Sequence, residues 1–146
     1  MLTYSDVQEI YSHNCGTLNY YKRNDCSSLV YTDGVMDFQQ SLDAYWVVDN
    51  VISYMPYVLK KFKSTDETFY VVRISLDKDR QGYMEVFTEG YIDKETYSDH
   101  ITIIEQEIPF IELPINEDEE ITEYKMYLQI GSYKPLQFVL LLTSEY

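Results

Sequence analysis

The sequence predicts an α+β domain, with N-terminal helices packed on one face of a mainly antiparallel sheet of about five strands. Three observations carry this. Apolar residues recur at helical spacing as far as Met55, they alternate after Pro56, and the closing stretch Leu136 to Leu142 is apolar on both faces, as in an interior strand. No linker, repeat or composition break divides the chain, so residues 1–146 form a single domain, large enough for a core.

The first helix is expected from Ser5, where S-x-x-Q through Gln8 fits a capping box. Val7, Ile10 and Tyr11 follow at helical spacing and Gly16 is a natural stop. Residues 17–24 stay open between helix and extended chain. Thr32 and Asp33 are good capping residues, and Val35 to Leu42 fits a short helix forming a hairpin or bent pair with the next one.

That next helix, Ser41 to Met55, organises the domain. Ala44, Val47, Val48, Val51, Ile52 and Met55 form one stripe of a 3.6-residue helix. Ser41 or Asp43 can cap its start, and Pro56 marks its end. Burying the stripe contributes about 10 kcal/mol gross before chain entropy is subtracted.

In the second half, Tyr70, Val72, Ile74 and Leu76 alternate with Phe69, Val71, Arg73 and Ser75, the pattern of a half-buried strand. Turn residues Asp77 to Gly82 lead to the second arm of a hairpin, Tyr83 to Thr88. Ile101 to Ile108 makes a third strand that Pro109 closes. A polar connection holding Asn116 to Glu120 leads to a fourth, Ile121 to Ile130, with Tyr124, Met126, Leu128 and Ile130 on one face. Gly131 to Pro135 turns the chain into the interior strand, Leu136 to Leu142.

Charge is the strongest functional signal. The chain has 25 acidic and 11 basic residues, a net −14, and residues 64–146 carry −12 of it. Such a field repels nucleic acid and anionic membrane and attracts basic protein surfaces. The N-terminus has no signal-peptide pattern and the longest apolar run, FVLLL at 138–142, is too short for a bilayer, so a cytoplasmic location is expected. Sixteen tyrosines, spread over all elements, suit half-buried sheet positions and interfaces.

Four motifs carry a family resemblance: YTDGV at 31–35, AYW at 44–46, QEIP at 106–109 with Leu113-Pro114, and the closing LLLTSEY at 140–146. With Tyr20-Tyr21-Lys22 ahead of YTDGV, they resemble a family of small bacterial and mobile-element proteins known as a domain of unknown function. Thr143 departs from that family's usual LLLPSEY ending, and the acidic run at 116–120 looks like an insert. The resemblance implies a small α+β domain from bacterial or phage-type genomes. It transfers no catalytic residue.

Catalytic and metal patterns are weak. His13, Cys15 and Cys26 lack a C-x-x-C pair and a fourth ligand, so zinc is not expected and the cysteines read as small buried thiols. Neither cysteine has a local signature that would join it to His100, which precedes a strand and reads as exposed. Asp77-x-Asp79-x-Gln81-Gly82 begins like a calcium loop, but Thr88 stands where the bidentate acid belongs, which favours a hairpin turn. No phosphate loop, G-x-S-x-G or H-E-x-x-H is present, and no cofactor is expected.

Eight acids and no base lie between residues 105 and 123: Glu105, Glu107, Glu112, Glu117, Asp118, Glu119, Glu120 and Glu123. Glu105 and Glu107, two apart on a strand, project from one face about 6.7 Å apart. Ordered carboxylates among tyrosines can imitate a nucleic-acid backbone and occupy a basic channel. The plainer reading is a solvated edge that keeps the sheet from aggregating. The leading expectation is an acidic interaction protein without enzymatic activity, a phage or mobile-element inhibitor of the anti-CRISPR or anti-defence type. Its partner would be a basic nucleic-acid-binding protein such as a CRISPR effector nuclease. The alternative is a cytosolic binding module or weak enzyme using the YTDG turn, with Tyr31 and Asp33 near Trp46.

Overall fold

A computed structural model describes residues 2–93, 95–131 and 136–146. Helix α1 (Tyr4–His13) leads through the two-residue strand β1 (Tyr20–Tyr21) to β2 (Leu29–Thr32), then α2 (Asp33–Leu42) and α3 (Tyr45–Thr65). Strands β3 (Phe69–Leu76), β4 (Gly82–Tyr91), β5 (Tyr97–Ile108), β6 (Thr122–Ile130) and β7 (Phe138–Leu142) follow, and a single 3-10 turn, Thr143–Glu145, comes last.

The α+β class and helix-first order are as expected, but among the described residues the sheet has seven strands, in the order β1-β2-β7-β6-β3-β4-β5. The two extra strands are β1 and β2. The sheet is mixed, because β2 pairs parallel with β7 while every other neighbouring pair is antiparallel. That pairing places β7 inside the sheet, between β2 and β6. Strands β4 and β5 run past the expected ends, to Tyr91 and from Tyr97, so His100 lies within β5 and not before it. Of the expected turn at 131–135, residues 132–135 lie outside the described residues.

The helices start and stop elsewhere than local signals indicate. Thr3, not Ser5, caps α1, accepting from the Asp6 N–H while Asp6 accepts from the Thr3 N–H, and the helix stops at His13, short of Gly16. Thr32 caps α2 as expected. Ser41 belongs to α2, and Asp43 closes that helix in the left-handed region (φ 51°), so neither caps α3. Ala44 occupies that N-cap without a side-chain bond.

Pro56 does not end α3, which runs on to Thr65. Its ring faces solvent, and the apolar stripe continues past it through buried Val58 to Leu59 and Phe62. A proline inside a helix costs about 3 kcal/mol. Burying Val58 and packing Leu59 and Phe62 against the core outweighs it at about 1.5–3 kcal/mol per fully covered side chain.

All three helices cover one face of the sheet. Tyr70, Val72, Ile74 and Leu76 of β3 point into this core with Met84, Val86, Met126, Leu128 and Leu140, against Val47, Val51, Met55 and Val58 of α3. Among the described residues no α-helix lies on the other face, where Tyr146, after the 3-10 turn, packs against Phe69 and Tyr127.

Candidate functional site

The sheet face away from the helices collects the polar side chains. Register places Glu105, Glu85, Arg73 and Lys125 in one row across β5, β4, β3 and β6, and Glu107, Tyr83, Ser75 and Glu123 in the next. Residues directly opposite in antiparallel strands share a face, so both rows look outward.

Glu85 is the unusual member, only 2% exposed although its face is uncovered. One carboxylate oxygen accepts from Arg73 at 2.7 Å. The other accepts from the Thr102 hydroxyl at 2.5 Å and lies 3.0 Å from His100 Nε2. Burial alone would raise a carboxyl pKa. The bonds from Thr102 and His100, with the Arg73 charge, outweigh it, so Glu85 stays below the usual carboxylate value. Phe87 carries His100 stacked at 4.2 Å on its ring and the Arg73 guanidinium 5.2 Å from its centroid, so aromatic surface screens the pair from water. Arg73 Nε is buried without a hydrogen-bond partner, 3.7 Å from a Glu123 oxygen. The cluster leaves little trace in the sequence. Its one signal was an arginine amid the apolar residues of Phe69–Leu76, on the side of β3 that faces away from the core.

The expected acidic residues divide. Glu105, Glu107 and Glu123 are exposed on the open face. An open depression of about 750 Å³, bordered by Ser75, Tyr83, Glu105, Glu107, Pro109 and Ile121, lies among them. Glu117 to Glu120 sit immediately before Ile121, in a turn held by Asn116, whose carbonyl accepts from Glu119 and whose side chain accepts from the Asp118 N–H. Three of the eight, Glu105, Glu107 and Glu123, therefore share the open face, while Glu117 to Glu120 stand in the turn that leads into β6, tied through the Asn116 N–H to the buried Thr122 hydroxyl on the core side of that strand. Glu112 lines the groove beside Trp46 and Phe110 on the helix side of β5, which Glu107 also borders.

Tyr31, Asp33 and Trp46 do not share a depression. Tyr31 is buried against Tyr21. The Asp33 carboxylate accepts from the Leu18 and Asn19 N–H groups, the Asn19 amide and the Tyr21 hydroxyl, which lowers its pKa to about 2. Its acceptor sites are used in tying residues 18–21 to the start of α2. Trp46 lines a separate groove with Asn50 and Gln106.

Other chemistry is sparse. Both cysteines are free thiols; Cys26 is partly buried, and Cys15 is exposed, not buried as expected. Asp77 Oδ1 accepts from the Asp79 and Gln81 N–H groups, which makes the loop after β3 a tight turn. Among the described residues no group of acids, cysteines and histidines is arranged to hold a metal, and no helix is long and apolar enough to cross a membrane.

No curated protein and no solved structure matches the chain. A family model does, over residues 5–146, which takes in the helical layer and the whole sheet. The chain belongs to that family, DUF6876, a family of unknown function.

Proposed function

We propose that this chain is an acidic interaction protein that docks a basic, nucleic-acid-handling protein against the open face of its sheet. The observation that carries the reading is the set of exposed carboxylates Glu105, Glu107 and Glu123 on that face, the first two bordering the 750 Å³ depression, with Glu117 to Glu120 in the turn that leads into the strand of Glu123. Glu107 and Glu123 stand at the two ends of one row, three strand spacings or about 14 Å apart. Carboxylates held at such spacings on a rigid sheet complement a channel lined with Lys and Arg. Glu85 takes the shorter of the two Arg73 ion pairs, at 2.7 Å against 3.7 Å to Glu123, and Glu105 and Glu107 form none with Arg73. The role would be inhibition, and a bacterial defence nuclease such as a CRISPR effector is the first partner to try. No substrate turnover is part of the proposal.

The test replaces Glu117, Glu119 and Glu120 by Gln and Asp118 by Asn, then follows binding to a basic nuclease across salt concentrations. Association at low salt should slow at least tenfold and the salt dependence should flatten. Unchanged affinity at every salt concentration refutes the reading.

A further inference from the structure

Strand β5 ends the sheet, and among the described residues its outer edge makes no main-chain hydrogen bond. An unpaired edge is a template for another strand unless charge, a bulge or a covering element blocks it. Here the register slips between Val86 and Phe87, which pair with Ile104 and Thr102, so Ile103 is an extra residue that breaks the edge. From Ile104 to Ile108 the strand is regular and pairs one-to-one with β4.

Depressions flank this regular stretch on both faces. On the open face lies the one bordered by Tyr83, Glu105 and Glu107. On the helix face a groove of about 420 Å³ is lined by Trp46, Asn50, Gln106, Phe110 and Glu112. Glu107, Ile108 and Pro109 border both. Phe110 is 59% exposed, a large apolar side chain left without cover. Side chains of a strand alternate between faces, so a strand laid along Ile104–Ile108 would send alternate residues into the two depressions.

We infer that the Ile104–Ile108 edge takes an extended, basic segment of the partner as an eighth strand. Its Lys or Arg side chains would face Glu105 and Glu107, and its apolar side chains would face Trp46 and Phe110. This rests on the docking reading above and names its mode. Charge complementarity selects the occupant: with a net charge of −14 on each chain, a second copy is repelled where a basic segment is attracted.

The probe is the capped peptide Val-Lys-Val-Lys-Val-Lys-Val, added at low salt to the full-length protein and followed by hydrogen exchange and affinity. Amides within 104–108 should exchange at least tenfold more slowly at saturation. The same peptide methylated on every backbone nitrogen keeps its charges but cannot donate, and should bind at least tenfold more weakly. Equal affinity of the two peptides, or binding without protection at 104–108, overturns the edge inference and leaves the docking reading standing. No binding of either peptide overturns both. A dimer in sedimentation with 104–108 already protected overturns the inference in favour of a second copy.

Discussion

The Gly34 N–H donates to Glu145 Oε2 at 3.1 Å, and a methyl group at Gly34 would lie 2.3 Å from Glu145 Oε1. The same carboxylate accepts from the Thr32 hydroxyl at 2.6 Å and the Leu142 N–H at 2.9 Å. The chain's penultimate residue thus sits at the start of α2, where free N–H groups and the helix dipole favour an anion. YTDGV and LLLTSEY, far apart in sequence, meet here. Glu145→Ala should cost about 1–3 kcal/mol by leaving these donors unpaired, and Gly34→Ala a similar amount by overpacking. The double variant should lose less than the two single losses together, since removing the carboxylate makes room for the methyl group. Urea denaturation of the four proteins measures this coupling.

Glu85→Ala should destabilise the fold by up to about 3–5 kcal/mol, because Arg73 then keeps a largely buried charge with only the longer, more exposed contact to Glu123 to compensate it. Arg73→Met placed in the Glu85→Ala background should recover much of that loss. Denaturant midpoints for the single and double variants decide it, and an additive result would mean that the two charges do not act as a pair.

The depressed Asp33 pKa sets a pH window. A carboxyl near 2 when folded and about 3.9 when unfolded binds fewer protons in the native state, so its stabilisation is complete above pH about 4. It is lost as pH falls through about 2. Asp33→Asn should flatten the fall in stability between pH 4 and 2 and leave the profile above pH 5 parallel to the wild type. Thermal melts at half-unit pH steps test this.

Pro56 lies exposed inside a continuous helix. Pro56→Ala restores the N–H that α3 lacks and frees the unfolded chain, with the first effect the larger. Stability should rise by about 2 kcal/mol with an unchanged urea m-value. A loss of stability would mean that the proline shapes the helix for its packing.

Local patterns made most of the sheet legible. The alternation in Phe69–Leu76 and Thr122–Ile130 records one face against a core and one against solvent, and both strands form with the expected residues inward. Strand β2 was hidden because all four of its residues are buried, which removes alternation, and because its pairing partner is β7 at the other end of the chain. The length of α3 is hidden for a related reason: the local penalty at Pro56 is visible in the sequence, while the burial that outweighs it depends on the sheet below.

The order of residues alone determined the α+β class, a cap at Thr32 or Asp33, the interior place of β7 and the excess of carboxylates between 105 and 123. These depend on periodicity, side-chain chemistry and charge, which are local properties. Only the tertiary structure decided that Asp33 anchors residues 18–21, that Glu145 reaches α2, that Glu85 is buried beside Arg73, and that Glu112 lines the groove on the helix side of β5. Each of these depends on which strands stand side by side, and strand order is set by burying the whole apolar face at once.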